Sequence, residues 1–311
     1  MATTTQIPKL AAEAIPERQS PAVESLKRLL RHRSAQIGLI LLGLLILVAI
    51  FAPVIAPYDP VVPLQDVGRR VAPCVHWLGC PADQPQHIMG TDGNFRDLFS
   101  RIIYGSRLSL QIGLVTITFA ILLGGLLGAI AGYSGGWIDN LIMRTMDVLM
   151  AFPSLLLAIA IVTVLGPGLI NALLAIGIVS IPIYARLIRA SILQIKELDF
   201  VSASRALGAS NLRLLFTRIL PNALTPLIVR GTLGIATAIL DAAALSFLGL
   251  GAQSPTPEWG LMLGEEKSSV FNAPYLVFFP GLAIMITVLA FNLLGDGLRD
   301  ALDPRLRGKA G

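Results

Sequence analysis

Two charges interrupt an otherwise apolar stretch: Arg230 and Asp241 both lie between Leu224 and Leu250. At the centre of a bilayer each would cost about 2.5–3.5 kcal/mol. Eleven residues apart, they share nearly one face of a helix but are separated by about 16 Å along its axis, too far to pair. Arg230 lies toward one end and can snorkel to the headgroups. Asp241 is deeper. Its favoured reading is a hydrogen bond to a neighbouring helix; the other is contact with a transported solute, which makes it a substrate-path candidate. Catalytic chemistry has little to stand on. There is no Gly-x-x-x-x-Gly-Lys-Ser/Thr phosphate loop, since Gly308-Lys309 leads into Ala310. His-Glu-x-x-His does not occur. The three histidines, His32, His76 and His87, are too few for a buried catalytic centre in the membrane and read as solvated loop residues. The two cysteines, Cys74 and Cys80, lie in a proline-rich stretch. In an oxidising compartment they favour a disulfide. A zinc site with His76 and His87 is the weaker alternative, because the Cys-x-x-Cys spacing is missing. No metal is expected.

The segment from Asp199 to Pro221 is different in kind. A helix from Phe200 would set Val201, Ser204, Ala206 and Leu207 in an amphipathic pattern. Gly208 would break it with a positive φ, Ser210 could cap a second helix, and Pro221 would close the segment. Such a helix-Gly-helix could dock in a partner's groove or lie on lipid headgroups. The pattern alone supports the two equally.

The elements that must hold these residues are set by composition. Of 311 residues, 54% are hydrophobic and 14% charged, against about 25% charged in a soluble domain. The formal net charge of +5 fits basic residues gathered at membrane edges better than nucleic-acid binding. Apolar runs at Ile37–Ala56, Leu108–Ala131, Thr145–Leu165, Leu169–Leu187, Leu224–Leu250 and Tyr275–Leu294 approach or exceed the roughly 20 residues of a transmembrane helix. The first follows a basic patch and reads as a retained anchor, not a cleaved signal. Pro153, Pro182 and Pro226 are expected to kink helices or mark their ends. Seventeen of the 24 Lys and Arg fall on the side of the termini and of the Asp199–Pro221 loop, and six on the other. That asymmetry predicts both termini in the cytoplasm. The expected organisation is a tail (1–36), a first span (37–56), an extracytoplasmic loop (57–106), a five-helix core (107–298) with a cytoplasmic loop at 190–222, and a C-terminal tail (299–311).

With that frame, a resemblance becomes specific. Ser202-Ala203-Ser204, Gly208-Ala209 and Leu220-Pro221 resemble the cytoplasmic Glu-Ala-Ala loop of ABC importer permeases, and Arg205-Ala206-Leu207-Gly208-Ala209-Ser210 is similar to its peptide-importer branch. Gly90-Thr91-Asp92, Arg96-Asp97 and Ser100-Arg101 resemble a stretch before the second helix, and Ala244–Gly251 with Trp259-Gly260 resembles the end of the fifth. Asn292–Asp296 and Asp303-Pro304-Arg305 complete the set. Two departures stand out: Ser202 replaces the family's Glu, and Phe95 replaces the Gly of Gly-Arg-Asp. The resemblance implies an all-α integral membrane protein with six transmembrane helices, a type I ABC importer permease fold and a cytoplasmic coupling helix. It implies half of a pore for dipeptides or oligopeptides, with no enzymatic activity on this chain. The implied partners are a homologous permease, two ATPase subunits holding ATP and Mg, an extracytoplasmic binding protein and membrane lipid. Ser202, Ala203, Ser204, Arg205, Gly208, Ala209, Leu220 and Pro221 would be its ATPase-coupling residues. An ion-driven secondary transporter, which would want inverted repeats and midplane charges, and a membrane hydrolase are weaker readings.

Overall fold

Backbone groups in lipid must bond within their own segment, so long apolar runs become helices. The computed structural model describes residues 29–302 except 66 and 82. Its helices are α1 (Arg33–Ile50), α2 (Leu98–Ser134), α3 (Gly136–Met150), α4 (Ser154–Leu165), α5 (Leu169–Ile195), α6 (Asp199–Ala206), α7 (Asn211–Phe247), α8 (Trp259–Glu266) and α9 (Tyr275–Leu302). Five of them, α1, α2, α5, α7 and α9, are long and apolar enough to cross a membrane. The bent pair α3–α4 makes a sixth if taken as one span. The expected tail structure before residue 29 and beyond 302 lies outside the described residues.

α2 and α5 pack along their length, and α7 lies against both. Their shared core runs through Ile112, Ile117, Ile176, Tyr184, Ile188 and Leu227. α9 packs on α7 and carries α1 on its other side. α8 sits across the far end of α7, and α6 hangs from the opposite end, where α7 begins. At about 1.5 Å per residue, the 37-residue α2 and α7 each extend some 55 Å, well past a 30 Å hydrocarbon layer.

Three expectations need correction. The third run, Thr145–Leu165, begins earlier, with α3 at Gly136, and breaks where Pro153 was expected to interrupt it: α3 and α4 meet at 92° across Ala151–Pro153. Pro153 cannot donate a helical hydrogen bond and disfavours helical backbone just before it. Pro221 does not close the coupling segment. α7 runs through it, with a wide π turn at Leu215–Ile219 immediately before it. A π turn relaxes the i→i−4 ladder that a proline ring would otherwise clash with. Pro182 and Pro226 likewise sit inside continuous helices. α2, α5, α7 and α9 run longer than expected because the helices project into the loops, whereas the first span is shifted and ends at Ile50 instead of Ala56.

Candidate functional site

At the α6 end, a short helix is fastened to the bundle by one buried side chain. Val201 is fully buried and joins the main core with Ile192, Leu214 and Ile219, which anchors α6 to the bundle. After α6, Gly208 adopts φ +86. Its N–H donates to the Arg205 carbonyl at 2.9 Å, and the Ala209 N–H donates to the Ser204 carbonyl at 3.2 Å. This paired closure is a Schellman stop, which calls for glycine at the left-handed position. A Cβ on Gly208 would meet no atom within 4 Å, so the constraint there is backbone conformation, not space. Ser210 takes the N-cap position of the next helix, but its side chain makes no capping bond. Ser202, Ala203 and Arg205 face solvent, and the Ser204 hydroxyl bonds back to the Phe200 carbonyl at 2.8 Å. Ala209 and Leu220 are half-buried, and Pro221 is exposed. Beside them stand Leu207 (89% exposed), Leu212, Phe216 and Phe200, all uncovered. The structure therefore brings the sequence-selected coupling residues to one end of the bundle, next to apolar side chains that the sequence reading had not singled out.

The α8 end is built the opposite way. Asp92 accepts from the Arg96 and Asn94 backbone N–H groups and pairs with the Arg96 guanidinium at 2.7 Å. Arg96 also donates to Glu265 at 2.9 Å. Arg101, fully buried, donates to the carbonyls of Pro60, Pro255 and Thr256. Glu266 accepts from Arg70 at 2.9 Å and from the Gly93 N–H at 2.6 Å. Glu258 caps α8 through the N–H groups of Gly260 and Leu261; burial pushes its carboxyl above the ordinary carboxylate range. The buried Trp259 donates from its indole to the Ile102 carbonyl at 3.1 Å. His87 corrects the reading of the histidines as solvated. It is 1% exposed, bonded to Asp97 at 2.9 Å and packed against the Tyr58 ring. Asp97 in turn caps α2 by accepting from Ser100. Cys74 and Cys80 are joined by a disulfide, Cα atoms 5.4 Å apart, which leaves no thiolate for zinc. Among the described residues no group of three or more His, Cys, Asp or Glu could hold a metal.

Asp241 lies on α7, half-buried, and among the described residues no hydrogen bond or ion pair reaches its carboxylate. The interhelical bond favoured from sequence is not made. Thr237, Leu240 and Phe247 are exposed along the same side of α7, as is Arg230 further down.

Taken together, this is a helical bundle with a short, solvent-exposed helix at one end and a cross-linked cap at the other. Residues 124–308 match the family described as binding-protein-dependent transport system inner membrane component. The chain belongs to that family. Residues 20–73 match the N-terminal transmembrane domain of oligopeptide transport permease C. The chain is 50% identical to a dipeptide transport system permease of Alkalihalophilus pseudofirmus, over 93% of this chain and 91% of that protein. It is 50% identical to a di/tripeptide permease of Pseudomonas aeruginosa, over 94% of each. It is 46% identical to a glutathione transport system permease of Escherichia coli, over 93% and 92%. A solved inward-facing methionine ABC transporter aligns with a TM-score of 0.55 at 19% identity, covering 65% of this chain and 97% of that one. This permease thus has the fold of type I ABC importers, is a multi-pass inner-membrane transport component and not an enzyme, and works with a binding protein and ATPase partners.

Proposed function

We propose that this permease forms half of a translocation path for short peptides, paired with a homologous permease and driven by two ATPase subunits that hold the ATP and Mg. The observation that carries the reading is α6. It is a short helix anchored by Val201, stopped at Gly208 and fringed by exposed Phe200, Leu207, Leu212 and Phe216, in a chain half identical to dipeptide permeases. A solvated protein surface seldom leaves so many large apolar groups beside one exposed Arg205 unless a partner covers them. Closure of the ATPases would move α6, and α6 would shift the bundle between two arrangements.

The asymmetry of basic residues supports cytoplasmic termini, with α6 on the cytoplasmic side and the α8 cap outside. Asp241, unpaired on the uncovered side of α7, supports a place on the peptide path, where a carboxylate could meet a peptide ammonium group. The test is uptake of a radiolabelled dipeptide by the four-subunit complex and its binding protein in proteoliposomes. Loss of uptake on Arg205→Glu, with the ATPases dissociating from a normally inserted permease, is the expected result. Transport at the original rate with the ATPases still bound would sink the assignment. For orientation, a cysteine introduced at Ser210 should escape membrane-impermeant thiol reagents in intact cells, and its labelling there would reverse the topology.

A further inference from the structure

Three helices meet at Arg189. Gly124, Gly128 and Gly132 recur every four residues along α2 and lie on the backbone of α5. A Cβ on Gly124 would press on the Ile181 carbonyl at 2.6 Å, and one on Gly132 would meet the Arg189 carbonyl at 3.0 Å. Small residues at this spacing let two helix backbones touch, and the contact fixes α5 against the last third of α2. At Gly135-Gly136 the chain takes two positive φ values and turns into α3. α3 then packs on both α2 and α5 through Met146, Ile142, Met143, Phe119, Leu127, Ile181 and Ala185. Two ion pairs flank that apolar patch. Arg189 grips Asp139 with two parallel hydrogen bonds of 2.5 Å each, and Arg186 meets Asp147 at 2.5 Å. Asp139 is 9% exposed; Asp147 and Arg186 are both open to solvent.

Location gives the pairs their meaning. Arg189 lies six residues before the end of α5, and only the three-residue Lys196–Leu198 turn separates α5 from α6. The other end of α3 is the 92° break that leads into α4. Displacement of α6 can therefore reach α3 through the end of α5, besides acting directly on α7. We infer that Asp139–Arg189 and Asp147–Arg186 form a clasp that carries movement of the docking helix into the broken α3–α4 span. The clasp joins α2, α3 and the end of α5 into one body. A bidentate guanidinium–carboxylate contact fixes orientation as well as distance, which a purely apolar patch does not do. The residues position helices; none touches the cargo. This inference rests on α6 being the ATPase contact, and its test keeps the two separable.

The experiment measures dipeptide uptake per ATP hydrolysed by the reconstituted complex, with ATPase retention on the permease read in parallel. The variants are Asp139→Asn, Arg189→Lys, Asp147→Asn and the exchange of Asp139→Arg with Arg189→Asp. Asp139→Asn is expected to keep the ATPases bound and hydrolysing while uptake per ATP falls at least tenfold. Arg189→Lys, which keeps the charge and loses the second hydrogen bond, should fall about threefold. The exchange should recover half or more of the original ratio. The inference is overturned if Asp139→Asn leaves the ratio within twofold, or lowers uptake and hydrolysis by one common factor. If Asp139→Asn does not accumulate, the solvent-exposed Asp147→Asn decides: an unchanged ratio overturns the clasp, and a fall reversed by exchanging Asp147→Arg with Arg186→Asp supports it. Detachment of the ATPases in every variant would refute the clasp while leaving the docking role of α6 standing.

Discussion

The two ends of this bundle solve opposite problems. At the α8 end, the 47 residues between α1 and α2 must stay ordered without a core of their own, and they do so with buried polar contacts. Asp92, Arg96, Arg101, Glu265, Glu266 and Arg70 satisfy one another across segments far apart in sequence. At the α6 end, only Val201 is buried within α6, and the large apolar groups around it are bare. The charges of one end are paired within the chain, although Trp77 and Phe271 stand bare beside them; the other end leaves its apolar groups to the partner we propose. The motif residues of the two ends thus do different work: those near Asp92 and Trp259 hold a cap together, and those near Gly208 present a surface.

The largest expected effect should break that contrast at its firmest point. Arg101→Met removes a fully buried cation, strands the carbonyls of Pro60, Pro255 and Thr256, and leaves Arg96 alone against Asp92 and Glu265. Losing one partner of a buried ionic group costs about 3–5 kcal/mol, which a thermal unfolding midpoint in detergent would report. Arg205→Ala at the other end should change that midpoint by no more than about 0.5 kcal/mol, as expected of an exposed site, while releasing the ATPase. If the two substitutions cost the same stability, the distinction between the two ends is wrong.

Gly208→Val comes next. Its cost is backbone strain at φ +86, about 1–3 kcal/mol, confined to the end of α6 because nothing surrounds the site. Insertion should be normal and ATPase retention weak in a pull-down, and normal retention would show that the Schellman stop does not set the docking geometry. Cys74→Ser with Cys80→Ser should cost the outer loop about 2 kcal/mol of order, from a closed loop of this size. Faster proteolysis between residues 70 and 90 would report it, with uptake the control.

Glu258 gives a pH dependence of smaller size, since two backbone N–H donors offset part of its burial. Its carboxyl is raised in the folded protein, mainly by burial, so the folded state binds the proton more tightly than the unfolded chain. That contribution is fully present below the ordinary carboxylate value and is lost as pH rises through the raised folded value. The midpoint of Glu258→Gln should vary less with pH across that window than that of the original protein. Equal slopes would show that Glu258 is as comfortable ionised as neutral.

The spans were legible because a membrane demands long apolar runs, and the docking loop was legible through Gly208 and its neighbours. What sequence could not supply was angle and distance. Pro153 marked an interruption inside Thr145–Leu165, but nothing in the sequence set its 92° angle or the start of α3 at Gly136. Pro221 signals a break unless a π turn precedes it, and no residue pattern announces that turn. Asp139 and Arg189 are fifty residues apart, so their pairing follows from the α2–α5 glycine contact and not from local spacing. His87 looked solvated because its loop is polar, yet Asp97 and Tyr58 close over it.

The smallest expected effect concerns a residue where the cap departs from its family. Phe95 holds φ +61, a left-handed conformation in which the Gly of Gly-Arg-Asp would rest without penalty. An L-residue there costs roughly 1–2 kcal/mol. The cap retains the conformation because both Phe95 backbone groups are engaged: its N–H donates to Asp92 at 3.3 Å, and its carbonyl accepts from Leu64 at 2.8 Å. The ring also lies under the Arg69 guanidinium, 5.9 Å from centroid to charge, a contact worth about 0.5–1 kcal/mol at an exposed site. Phe95→Gly relieves the strain but loses the cation–π contact and loosens the unfolded chain, so its net change should fall within about 0.5 kcal/mol of zero. Phe95→Ala loses the contact and keeps the strain. The Gly variant should therefore unfold later than the Ala variant by about 1 kcal/mol. If Ala proves the more stable, Phe95 is not strained, and the cap tolerates its departure through some feature other than the Asp92 and Leu64 hydrogen bonds.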